Sequence, residues 1–73
     1  MPLLNVKLLE GVFTPKEKQQ LIHKLTDTVV FIKGENIRPL TIVLLEEVKS
    51  GDWGAGGTAY TTLDAKTILA TNV

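Results

Sequence analysis

The residue best placed to do chemistry is the proline at position 2. Removal of Met1, which so small a second residue permits, leaves Pro2 with a free secondary amine. An ordinary α-amino group titrates at roughly 8. Desolvation or a neighbouring cation lowers that value, because either disfavours the charged form. A base poised near neutrality is what proton shuttling needs. A plainer role competes: a proline can simply open an edge strand, where its missing amide hydrogen does no harm. Position alone favours that plainer role.

Few other groups rival Pro2. The chain has no cysteine, which removes disulfides, zinc-thiolate sites and cysteine nucleophiles together. His23 is the single histidine and builds no metal site by itself. Glu46 and Glu47 are adjacent, so on a strand they point to opposite faces and cannot act as a carboxylate pair. Asp52 reads first as a turn-stabilising side chain and only second as a group orienting a water or a substrate hydroxyl. Lys7 reads as a partly exposed strand lysine. Gly51, Gly54, Gly56 and Gly57 surround Trp53, the one tryptophan. No Gly-Lys-Ser/Thr follows them, so they are not a phosphate loop; they permit a tight hairpin instead.

The elements that must position Pro2 are legible in the patterning. From Pro2 to Glu10, Leu4, Val6 and Leu8 share one face and Asn5 and Lys7 the other, the period of a strand. Gly11 marks a turn. Thr14, Pro15 and Glu17 form a helix start, with Thr14 and Glu17 three apart as a capping box and proline at the first helical position. Leu21, Ile22, Leu25, Val29 and Ile32 then form an apolar stripe, so a helix is expected from about Pro15 to Ile32, closed by Gly34. A polar loop over 35–39 leads to Leu40-Thr41-Ile42-Val43-Leu44-Leu45, expected as a strand apolar on both faces. Strand, helix, strand implies a parallel pair joined by a right-handed crossover. After the glycine loop, Thr58-Ala59-Tyr60 reads as a short strand. Thr61 with Asp64 then caps a last turn of helix carrying Ala65, Ile68 and Leu69.

Residues 1–73 leave room for one domain, and a chain of this size has a marginal core of its own. Yet 44% of the residues are hydrophobic, and two strands with one helix cannot cover both faces of a sheet. Without cysteine or a metal cluster, oligomerisation is the remaining way to bury that face. Eight basic residues balance eight acidic ones; with no basic stripe and few aromatics, nucleic-acid binding has little support. No apolar run is long enough to span a bilayer and no signal peptide is visible, so a cytoplasmic protein without membrane attachment is expected.

Taken together, Met1-Pro2 opening a strand, Leu9-Glu10-Gly11 closing it, the Thr-capped helix with Leu21-Ile22, Glu46-Glu47-Val48 and Gly51-Asp52-Trp53-Gly54-Ala55-Gly56-Gly57 resemble the 4-oxalocrotonate tautomerase family. The likeness runs through nearly the whole chain up to Gly57. It implies an α/β (α+β) fold: a β-α-β unit with a parallel strand pair, a hairpin-like loop and a C-terminal helical turn, assembled as a homo-oligomer, usually a trimer of dimers. It implies a cofactor-independent isomerase in which Pro2 moves a proton within an enol or α-keto acid. It places Trp53 where an aromatic residue lines the pocket.

The chain departs from the family pattern at two positions. Val12 and Ile42 stand where well-known members carry the arginines that hold substrate carboxylates and stabilise developing negative charge. Phe13 behaves as a one-residue insertion. Arg38, the single arginine, is the candidate to supply a cation from a shifted position; its plain alternative is a solvated surface charge. A pocket lined by Val12, Phe13, Ile42 and Trp53 suits an apolar or monocarboxylate enol better than a dicarboxylate such as 2-hydroxymuconate. Two other readings stay open on the same scaffold: hydration or dehalogenation of a small unsaturated acid, and a non-catalytic oligomeric module.

Overall fold

A computed structural model describes residues 1–71. Strand β1 (Leu3–Leu9) is followed by helix α1 (Pro15–Lys33), a 3₁₀ helix (Glu35–Leu40) and strand β2 (Ile42–Val48). A hairpin of β3 (Trp53–Ala55) and β4 (Thr58–Tyr60) and a helix α2 (Thr62–Ala70) complete the described chain. The last two residues of the 1–73 domain expected from sequence lie outside the described residues.

β1 and β2 pair in parallel from Leu3↔Ile42 to Leu9↔Val48. The pairing has the β-α-β order the patterning requires. Helix α1 starts as expected. The Glu17 amide donates to the Thr14 hydroxyl (3.1 Å) and the Thr14 amide to the Glu17 carboxylate (2.8 Å), a complete capping box. It ends where Gly34, at φ +94°, sends its N–H back to the Val30 carbonyl (2.7 Å).

Four details differ from expectation. Residues 35–40 form a 3₁₀ helix rather than a loop, with Thr41 closing it onto the Arg38 carbonyl. β2 therefore starts two residues later than expected and runs on to Val48, because pairing with β1 continues to its end. The covered stripe of α1 comprises Leu21, Leu25, Val29 and Val30, while Ile22 and Ile32 stay exposed. The terminal helical turn is a nine-residue helix, α2, with the expected Thr61–Asp64 box intact.

The sheet has one covered and one open face. Leu4, Val6 and Leu8 alternate toward α1, joined by Val43 and Leu45 from β2. Leu3, Ile42 and Leu44 occupy the other face and remain 57%, 42% and 44% exposed. β2 is thus apolar on both faces, but α1 covers only one. Further along the open face, Glu46 accepts from Asn5 and pairs with Lys7. At its end Leu9, which by alternation belongs to the open face, is buried, because the hairpin and α2 fold over it.

Candidate active site

Pro2 lies one residue before the first pair of the β1–β2 ladder, half-buried. The Ile42 amide donates to the Pro2 carbonyl at 3.0 Å. The carbonyl is the only hydrogen-bonding group a proline has inside a chain, and through it Pro2 is tied to the start of β2. Met1 stands outside the sheet, 86% exposed. Its removal strips no strand contact.

Arg38 is near this end through its backbone, since its carbonyl accepts from Thr41, immediately before Ile42. Its side chain points into a cluster of carboxylates. Nε and Nη2 donate to both oxygens of Glu35 (2.8 and 3.2 Å), and Nη1 donates to Asp27 on α1 (2.8 Å). The Asp27 carboxylate also lies 3.2 Å from His23 Nε2. Hydrogen bonding to Arg38 holds both Asp27 and Glu35 below the usual carboxylate range, and the two acids raise Arg38 in turn. Three of the five guanidinium N–H donors are spent. One positive charge thus faces two negative ones within the subunit.

Trp53 and Val12 lie at the opposite end of the sheet. Val12 follows the close of β1, its amide directed at the Leu9 carbonyl. Trp53 opens β3 opposite Tyr60. Leu9, Trp53, Ala55, Tyr60, Ala65 and Ile68 surround an open cavity of about 270 Å³. Sequence reasoning named Trp53 as a pocket wall but not Leu9 or Tyr60 beside it. The Thr61–Asp64 box was the available signal, since it sets the start of α2 and so brings Ala65 and Ile68, three apart, onto one face.

One hydrogen-bond network fixes this end. The Ser50 amide donates to the Glu10 carboxylate (2.7 Å), the Thr62 amide to the Ser50 hydroxyl (2.8 Å), and the Thr62 hydroxyl to the Glu10 carbonyl (2.6 Å). Glu47 adds a second tie, pairing with Lys18 at 3.1 Å and accepting from the Gly11 amide. Both contacts hold the Glu47 carboxyl below its ordinary range, the Lys18 hydrogen bond most strongly. Glu46 is likewise held down, by Asn5 first and then by Lys7. Glu46 and Glu47 thus serve opposite faces, as their adjacency requires. Asp52 occupies the turn into β3, its amide donating to the Lys49 carbonyl (2.9 Å).

The expected site residues therefore fall into two groups within one chain: Pro2, Arg38 and Ile42 at the start of the sheet, Val12 and Trp53 at its end. At ~3.3 Å of rise per residue, roughly 20 Å of strand separates Pro2 from Leu9 beside Trp53.

The tautomerase enzyme family matches residues 2–63. A probable tautomerase of Dickeya dadantii is 34% identical over 61 residues, covering 84% of this chain and 90% of the relative. A probable tautomerase of Helicobacter pylori is 37% identical over 59 residues, 78% of this chain and 85% of the relative. Among solved structures, DmpI from Helicobacter pylori superimposes with a TM-score of 0.70 at 35% identity, covering 80% of this chain and 94% of that one. TomN, a 4-oxalocrotonate tautomerase homologue of the tomaymycin biosynthetic pathway, gives 0.72 at 29% identity, covering 94% and 97%. With the family matched from Pro2 through the hairpin, and the fold shared with its solved members, this chain belongs to the tautomerase family.

Proposed function

We propose that this chain is a cofactor-independent keto–enol tautomerase in which Pro2, exposed by loss of Met1, is base and then acid. The placement of Pro2 carries the reading. The residue is anchored through its own carbonyl at the strand start, half-buried, with only an exposed methionine before it. In the reaction, the amine takes the proton of an enol hydroxyl and the O–C=C electrons shift to give C=O. The ammonium then returns the proton to the neighbouring carbon. The chain regenerates its starting state, and the substrate is isomerised with no atoms gained or lost.

Completing the site takes a second copy. Pro2 and Trp53 are too far apart to touch one small molecule from within one subunit. The open sheet face bearing Leu3, Ile42 and Leu44 supplies an apolar surface on which copies can pack. A homo-oligomer, as a trimer of dimers, then brings Pro2, Arg38 and Ile42 of one copy toward Trp53 and Val12 of another. Arg38 retains two unspent N–H donors for a single substrate carboxylate. Asp27 and Glu35 already outweigh its charge, so Arg38 offers a carboxylate two N–H donors and not a net positive field; a dianion would need a second cation, and the substrate class is a monocarboxylate enol or α-keto acid.

Hydration or dehalogenation is less well supported, since it needs a carboxylate free to activate water. Glu46 and Glu47 are each engaged by two partners, which leaves Asp52, in the turn into β3, as the one candidate for that role.

Ketonisation of phenylenolpyruvate tests the reading. The wild-type protein, with Met1 shown by mass to be absent, is expected to be active, and Pro2→Ala to lose roughly 10²–10⁴-fold at unchanged oligomeric size. Equal rates for the two proteins would remove Pro2 from the mechanism.

A further inference from the structure

Two of the six residues around the Trp53 cavity, Ala65 and Ile68, come from α2 and lie past residue 63, where the family match ends. The helix is tied to the rest of the chain at its N-terminus. Its first residue, Thr62, is bonded to both Ser50 and Glu10. Gly11 packs so closely on Thr62 that a Cβ there would sit 3.1 Å from the Thr62 methyl. A helix tied at its N-terminus in this way presents Ala65 and Ile68, three residues apart, to the same side. Among the described residues no charged side chain borders the cavity; its lining is four aliphatic groups and the rings of Trp53 and Tyr60. Apolar cavities of roughly 150 Å³ hold a benzene, so about 270 Å³ accommodates a substituted phenyl or bicyclic ring.

We infer that α2 is a specificity element: Ile68, at the open edge of the cavity, sets the size of the apolar group a substrate carries away from its reacting carbon. The substrate is then an enol whose one end is a carboxylate and whose other end is an aryl or bulky alkyl group. The inference rests on the reading of Trp53 as a wall of the Pro2 site, and it goes further by assigning the choice of side group to a helix outside the family match. Exposure agrees with a gate position: Ile68 is 62% exposed while Leu9 beneath the cavity is 8%.

Trp53 is the only tryptophan, so its fluorescence reports on this cavity directly and does not require turnover. In the full-length oligomer, 3-phenylpropionate is expected to shift or quench Trp53 emission saturably, and propionate, which lacks the ring, is not. Ile68→Ala should weaken the phenylpropionate response and raise KM for phenylenolpyruvate roughly tenfold with kcat little changed. Ile68→Met, which keeps the volume, should restore both. Phenylpropionate binding that depends on Ile68 in a protein without ketonisation activity would support the cavity assignment while refuting the tautomerase reading. An active enzyme whose KM and Trp53 emission ignore Ile68→Ala would overturn the assignment and leave the tautomerase reading intact.

Discussion

The two ends of the β1–β2 sheet are built on different terms. Where β1 begins, Pro2 is held by one backbone hydrogen bond, and beside it Leu3, Ile42 and Leu44 stand open. Where β1 ends, Leu8 and Leu9 are buried, the hairpin and α2 close over the sheet, and Glu10, Ser50 and Thr62 bond one another into a fixed corner. One end carries Pro2, the proposed base, with little to surround it. The other carries a formed apolar cavity whose lining is aliphatic side chains and two aromatic rings. Chemistry and enclosure are separated by the length of the strand, and association of copies is what can bring them together. On the proposed reading, the apolar face left open beside Pro2 is the surface through which copies assemble and complete the site.

Breaking the open end should have the largest effect. Leu44→Lys places a charge in the middle of the face on which copies are expected to pack, where an unpaired buried charge costs several kcal/mol. The variant should sediment as a smaller species than wild type and lose most of its activity, although Pro2 is untouched. A variant that assembled and turned over normally would show that this face is not the contact.

A moderate effect is expected at the fixed corner. Gly11 has φ +76°, a conformation that costs an L-residue roughly 1–3 kcal/mol, and its missing side chain leaves room for the Thr62 methyl. Gly11→Ala should lower unfolding stability by about 1–2 kcal/mol, measured by urea titration, with assembly retained.

The smallest effect concerns the Asp27–Arg38–Glu35 cluster. Both acids titrate below their ordinary values of 3.8 and 4.5 when folded, so on acidification the unfolded chain takes up protons first. Their contribution is complete above the unfolded values and is lost as pH falls through the folded ones. The melting temperature should be insensitive to this cluster from pH 6 to 8. It should decline below about pH 4.5, and Asp27→Asn should make that acid limb shallower by a small margin, since the cluster is largely solvated.

Much of the fold was legible because local chemistry and global arrangement agree. The Thr14-Pro15-Glu17 start, the Gly34 stop, the alternation of Leu4, Val6 and Leu8, and the Thr61–Asp64 box each act within a few residues. The 3₁₀ helix was not, because Glu35, Asn36 and Pro39 look like a polar loop; its two turns carry Arg38, which bridges to Asp27, eleven residues back on α1. Ile32 was placed in the core stripe by spacing, but α1 outruns the short sheet beneath it and leaves that residue in solvent. Pro2 and Trp53 were each noticed from sequence. That Pro2 precedes the β1–β2 pair at one end while the Trp53 hairpin lies beyond its other end follows from the parallel pairing of the strands, which a period-two pattern does not fix until both strands are paired.

The central claim is that one site draws Pro2 and Trp53 from different copies. Pro2→Ala and Trp53→Ala proteins, each of low activity, can be unfolded together, refolded as mixed oligomers and assayed with phenylenolpyruvate. Sites shared between copies predict that the mixture exceeds the summed activity of the two parents, because some sites regain both intact residues. A mixture no more active than that sum, in oligomers shown to contain both chains, would contradict it.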